Sequence, residues 1–250
     1  MVIIIFFIVH WYLAIFTHAF FYHRYAAHRM YYMSNFWEKF FYVFTWLIHG
    51  SGYLSANAYG IMHRIHHAKV DTKDDPHAPM NSHNPFIFMW HTRCNYINIF
   101  LGKTKVEDRY RKDLPDWPAF EKLAHNWFTR TLFILGYTAF YYFFVEAPWM
   151  WALLPITITM GPTHGMMINW FSHKYGYRNY KTKDKSTNLL PVDLILIGEC
   201  YHHNHHAYTA RANMAHKWWE FDITYGVLKV LSWFGIVRLR SSKTKNSESV

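Results

Sequence analysis

Two short histidine runs constrain this chain more than any other feature. His63-Arg64-Ile65-His66-His67 and His202-His203-Asn204-His205-His206 each place histidines at i, i+3 and i+4, about 140 residues apart. On an α-helix three steps turn about 300° and four about 400°, so each trio lies within roughly 100° of arc. Imidazole binds iron, zinc or copper without carrying charge of its own. Scattering 19 histidines at random over 250 residues would give only ~0.1 HxxHH patterns, so two are no accident. Two matching faces read as two halves of one metal site, and the fold has to bring them together.

His23 and His28 (HxxxxH) and His173 join these trios. A closed zinc tetrahedron takes about four ligands. Nine histidines exceed that and suit two ions with four or five ligands each. Adjacent histidines such as His66-His67 and His205-His206 diverge by about 100° on a helix, so one of each pair can serve each ion. Carboxylates behind the rings would orient them. Asp71, Asp74, Asp75 and Glu199 are the candidates, with Glu199 favoured because it directly precedes the last run. His10, His49 and His164 lie in apolar runs, where a helix–helix hydrogen bond is the expected role. His77, His83, His91, His125 and His216 are expected on loops or at the surface.

The rest of the chain points to a membrane. Apolar residues make up 52% and aromatics 21%. The mean hydropathy of -0.13 is an average that histidines and basic loops pull down. Residues 1–23 contain no Lys or Arg and are long enough to cross a hydrocarbon core of about 30 Å. They lack a basic n-region and a small-residue cleavage site, so they read as a retained helix rather than a signal peptide. Residues 131–173 again contain no Lys or Arg and break at Glu146-Ala147-Pro148 into two spans. Residues 36–53 are interrupted by Glu38, Lys39, His49, Gly50 and Gly52. If all the histidines share one site they lie on one side of the membrane, and 36–53 must lie along the interface or re-enter. The expected architecture is an all-α integral membrane protein of one domain, residues 1–250. It has about three transmembrane helices, that interfacial or re-entrant helix, and a helical cap holding a di-metal site. Basic residues crowd the histidine side, which the positive-inside rule makes cytoplasmic. Trp218 to Val237 reads as an amphipathic surface helix, and the polar residues 241–250 as a disordered tail.

The formal charge of +10 sits between apolar runs. It therefore favours an anionic membrane surface or an acidic substrate, such as an acyl-CoA or acyl carrier protein, over nucleic acid. Cys94 and Cys200 are the only cysteines and give neither a disulfide framework nor a CxxC site.

The motifs in order are His23-Arg-x-x-x-His-Arg29, His63-Arg-x-His-His67, Asp75-Pro-His77, Asn169-Trp-Phe-Ser-His173, Gly176-Tyr-Arg178, Gly198-Glu-x-Tyr-His-x-Asn-His-His206 and Lys217-Trp-Trp-Glu-Phe-Asp222. Together they make the chain resemble the membrane-bound histidine-box fatty acid desaturases, most closely the acyl-CoA Δ9 type. The resemblance implies a di-iron centre held by His23, His28, His63, His66, His67, His173, His202, His205 and His206, with Asn169 reaching a metal through a water. It implies O2 as co-substrate, zinc as a substitute metal in overexpressed protein, and a saturated acyl chain that gains a cis double bond. No haem or flavin motif is legible, so the expected electron donor is a separate ferredoxin or small cytochrome with its reductase. Removing hydrogens from an unactivated methylene is chemistry that iron supplies; the protein provides ligands, geometry and a dry pocket.

There are departures from the pattern. One apolar span replaces the family's first hairpin, and Tyr59-Gly-Ile-Met62 replaces the tryptophan and charged residues usual before the second box. His18 also forms HxxxxH with His23, about 7.5 Å deeper along a helix, but the His-Arg frame assigns the ligands to His23 and His28. His203 points away from the arc of its neighbours. Two rivals remain: a histidine-box di-iron hydroxylase of alkyl or acyl chains, and a non-enzymatic metal carrier. Glu199 and Asp75 are the expected ring-orienting acids, and no substrate-binding residue is assigned.

Overall fold

The apolar N-terminal run folds into one helix, α1 (Val2–Ala27), in the computed structural model, which describes residues 1–240. Among the described residues it is the one helix long and apolar enough to cross a membrane. It is α-helical over Val2–Thr17 and π-helical over His18–Ala27. The π turn corrects the α-helical reading of the first histidine box. On an α-helix, residues five apart diverge by about 140°. In the i→i+5 pattern they stack, and the His28 amide donates to the His23 carbonyl at 3.2 Å.

A short strand, β1 (Tyr31–Met33), leads into α2 (Asn35–His49), whose N-terminus is capped by Ser34 Oγ on the Trp37 amide. α2 runs antiparallel to α1. Phe41 meets Phe20, Tyr42 meets Phe21, and the Ile48 carbonyl accepts from His10 Nε2 at 2.8 Å. The chain then reverses through Gly50–Gly52. Gly50 has φ +49°, and a Cβ there would collide with the Tyr137 hydroxyl and the Phe133 ring. Only glycine fits this turn. By Leu54, whose amide donates to Tyr22 Oη at 3.1 Å, the chain is back beside the histidine-bearing end of α1. Residues 36–53 therefore enter and leave at the same end.

Ser55 caps α3 (Ala56–Lys69). α4 (Pro85–Phe100) buries Phe88, Thr92, Tyr96 and Ile99, one helical face. Short α5 (Asp108–Arg111) and α6 (Pro118–Ala124) lead to α7 (Trp127–Phe144). The return limb is segmented: Pro148–Ala152, α8 (Leu153–Ile158), α9 (Met160–Gly165), a second π turn over Met166–Trp170, and Phe171–His173. At the end of α1 remote from the histidines, the Met1 amine lies 2.6 Å from the Glu146 carboxylate. The 146–148 turn and residue 1 thus share one end of the bundle.

α10 (His202–Ala207) and α11 (Ile223–Trp233) complete the helices, and β2 (Val237–Leu239) pairs antiparallel with β1, Tyr31 opposite Leu239. The helix expected over Trp218 to Val237 is shorter than that. Glu220 accepts from the amides of His216 and Lys217 and folds that segment into a loop. Asp222 then caps α11 through the Tyr225 amide, and Val237 belongs to the strand. The core is dominated by aromatic side chains, among them Phe20, Phe21, Tyr22, Phe41, Tyr42, Tyr53 and Phe120. The tail expected to be disordered, 241–250, lies outside the described residues.

Candidate metal centre

Nine histidines meet where the π segment of α1, α3, the end of the return limb and α10 converge. Their ring nitrogens form two groups, each with all ligand atoms within 4.8 Å of one another: His23, His28, His63, His67 and His205 in one, His66, His173, His202 and His206 in the other. The adjacent pairs divide. His66 and His206 go to the group of four, His67 and His205 to the group of five. A helix turns 100° per residue, so neighbours on one turn face different ions.

Carboxylates stand behind four of the rings. His23 Nδ1 lies 2.5 Å from Glu199, and His66 Nδ1 lies 2.9 Å from Asp75. His173 Nδ1 is 3.3 Å from Asp71, and His206 Nδ1 is 3.7 Å from Asp184. At hydrogen-bond distance, Glu199 and Asp75 fix the tautomers of His23 and His66 by holding the proton on Nδ1, which turns the bare Nε2 lone pair inward. Asp71 and Asp184 stand further off as charges behind His173 and His206. Asp74 is exposed and pairs with Lys69 instead. Burial first, then the neighbouring imidazoles, holds His63, His67, His202, His205 and His206 well below their ordinary pKa, so they are neutral at pH 7. Burial alone would raise Glu199, but its contacts with His23 and then Arg24 outweigh it and hold the carboxyl at about 2.

The donor set fits cations. His23 Nε2 faces His205 Nε2 at 3.0 Å, and His63 Nε2 faces that of His28 at 2.9 Å. In the second group His202 Nε2 lies 3.1 Å from that of His173 and 3.0 Å from that of His206. His66 Nε2 is buried and has no hydrogen-bond partner. With one proton per neutral ring, and several of those engaged by carboxylates, lone pairs face lone pairs. A cation in each group would relieve that.

The remaining candidates lie as follows. Asn169, in the second π turn, donates to the Gly165 carbonyl at 2.9 Å and is in hydrogen-bond reach of His77. His203 belongs to neither group: its Nδ1 meets Ser186 Oγ at 3.0 Å and its Nε2 meets the backbone of Tyr180. His18 turns to the Tyr59 hydroxyl at 3.2 Å. His10 makes its α1–α2 hydrogen bond, whereas His164 is buried edge-on to Trp11 with neither ring nitrogen bonded.

Besides Asp184 and the π segment, sequence reasoning missed three features. His77 is no loop histidine: it is buried, bonds Thr92 Oγ1 at 3.0 Å, and its ring lies 5.6 Å from that of His66. Its place in Asp75-Pro-His77 was the available signal. Arg24 is fully buried between Glu199, at 3.2 Å, and Asp222, at 3.1 Å. Asn204, inside the last box, binds Glu220 at 2.8 Å and the Met214 carbonyl at 2.9 Å, which anchors α10 from behind.

A fatty acid desaturase family model matches residues 1–229. The chain belongs to the fatty acid desaturase family. This desaturase-family chain is 28% identical over 218 residues to Delta-9 acyl-lipid desaturase 1 of Arabidopsis thaliana, covering 86% of this chain and 67% of that protein. It is 28% identical over 181 residues to the sn-1 stearoyl-lipid 9-desaturase of a Synechocystis species, covering 71% and 53%. With the acyl-CoA 5-desaturase AL21 of Anemone leveillei it shares 26% over 216 residues, covering 86% and 64%. The chain therefore spans from about half to two thirds of the length of these relatives.

Proposed function

We propose that this chain desaturates a saturated fatty acyl chain, carried as its CoA thioester, to the cis-monounsaturated product with O2, at two iron ions held by the nine histidines. The observation that carries the reading is the five-and-four division of the imidazoles, with adjacent residues of each HxxHH box falling in different groups. Family membership supplies the substrate class. Iron, when bound, would activate O2, the oxidant that an unactivated methylene requires. The chain's own part is orientation and exclusion of water. Glu199 and Asp75 set the tautomers of His23 and His66, Asp71 and Asp184 put negative charge behind His173 and His206, Asn169 would hold a water, and the buried rings keep bulk solvent out.

The three-span reading is part of this proposal. α1, α7 and the segmented limb 148–173 cross, α2 re-enters, and the histidines face the cytoplasm. The contact between Met1 and Glu146 at the opposite end supports it. Zinc is the expected contaminant in overexpressed protein.

The test is expression in a host without desaturases, with mass-resolved gas chromatography of the fatty acids, beside a His202→Ala control. A new monounsaturated acid in the wild type alone is expected. A hydroxy acid in its place would assign the site to the hydroxylase reading. No product from iron-replete protein would refute both. Lipid-fed against CoA-fed membranes distinguish the carrier.

A further inference from the structure

Converting –CH2–CH2– to –CH=CH– releases two electrons and two protons. Reducing O2 to two waters consumes four of each. Two electrons and two protons must therefore arrive from outside on every turnover, and this section rests on the desaturase reading in asking where the electrons enter.

The segment between His173 and the last box crosses the outer face of the group of four. Residues 174–185 carry Lys174, Arg178, Lys181, Lys183 and Lys185 against one acid, Asp184. Lys181, Lys183 and Lys185 are exposed, and Lys73 adds a further exposed cation close to Asp71. Asp184 and Asp71 point inward. Asp184 accepts from Thr182 Oγ1, at 2.9 Å, and lies 3.7 Å from His206 Nδ1. Asp71 accepts from the Lys185 amide at 2.7 Å while its other oxygen stands 3.3 Å from His173 Nδ1. Turning both acids toward the rings leaves residues 178–185 a cationic face, while exposed Asp74, beside Lys73, is taken up by Lys69. It also puts the backbone at 184–185 one side chain away from two rings of the same group.

Position favours a redox partner as the occupant. The Lys185 amide bonds Asp71, which stands behind His173, and Asp184 stands behind His206. A carrier seated on this loop is therefore one side chain from two rings, a placement that a lipid headgroup would not use.

We propose that the face formed by residues 178–185 docks an acidic one-electron carrier protein, with electrons entering through Asp184–His206 and Asp71–His173. Charge complementarity of this kind steers encounter and sets the on-rate.

The experiment uses the iron-loaded chain in phosphatidylcholine nanodiscs with a reduced acidic [2Fe–2S] ferredoxin as carrier. The Lys181→Glu/Lys183→Glu variant is compared with wild type, and dithionite-driven single turnover serves as a donor that needs no docking. The variant should raise the KM for ferredoxin by about tenfold and leave kcat, iron content and dithionite-driven turnover unchanged. Wild-type KM should climb with salt and the variant's should climb less. An unchanged KM, or an equal loss with dithionite, would overturn the docking face. So would a variant effect that appears only in phosphatidylglycerol discs, which would assign the patch to lipid. If the wild type makes no alkene with either donor, it is the desaturase reading that fails.

Discussion

Glu121 gives the sharpest physical test. It is a buried acid on α6 whose Oε1 accepts from the Ala56 amide at 3.2 Å and whose Oε2 accepts from Tyr53 Oη at 3.4 Å. It thus ties down the first turn of the helix that carries His63, His66 and His67. Burial raises its pKa from 4.5 to about 7, against the lowering effect of its hydrogen bonds. Between those values the folded chain holds a proton that the unfolded chain has released. Stability therefore falls as pH rises through that window, by about 1.4 kcal/mol per unit, or about 3 kcal/mol in all. For a domain of this size that is roughly 6–12 °C in midpoint. Glu121→Gln keeps an acceptor for Ala56 and cannot ionise. Thermal unfolding in detergent at pH 5, 6, 7 and 8 should show the wild-type midpoint dropping and the variant's slope flatter by that amount. Equal slopes would refute the argument that burial makes this carboxyl costly to ionise.

Further outcomes follow from the site. His203→Asn and His18→Ala should keep full metal content and most activity, whereas His202→Ala, His205→Ala, His206→Ala and His23→Ala should each lose both, read by metal analysis and product assay; a metal-depleted His203→Asn beside an active His202→Ala would refute the assignment. Asp222→Ala leaves Arg24 buried without one of its two carboxylates and should cost about 3–5 kcal/mol in denaturant unfolding; a loss under 1 kcal/mol would show that Arg24 finds water. Tags at residue 1 and on the C-terminal end should label on opposite sides of intact cells, and same-side labelling would sink the three-span topology.

The legible parts of the fold were those encoded locally. A trio at i, i+3 and i+4 announces a helix face whatever surrounds it. The divergence of adjacent residues is a property of the helix itself, so the separation of His66 from His67 follows from two neighbouring letters. The turn at Glu146-Ala147-Pro148 is equally local. Arg24 and Asp222 lie 198 positions apart, and nothing near either residue says that they meet. His77 was misplaced because a histidine in a polar loop looks solvated until α4 closes over it. The π segment escaped for another reason: its five-residue spacing is plain in the sequence, but on an α-helix it spells disorder of phase rather than alignment. Asp184 lies in a basic run that reads as solvated charge, and only the path of the loop turns it toward His206.

The π segment of α1 uncouples two requirements that one helix would otherwise have to meet at once. Up to Thr17 the backbone advances about 100° per residue, and side chains sort themselves between the outer face and the neighbouring helices on that rhythm. From His18 the rhythm slows, and His23 and His28 come into line on a stripe that an unbroken α-helix would not present. The first part can therefore change its outward-facing letters without touching the ligand stripe. Losing one residue between His18 and His23 would restore a single rhythm throughout. The span would survive and the first box would be aimed elsewhere.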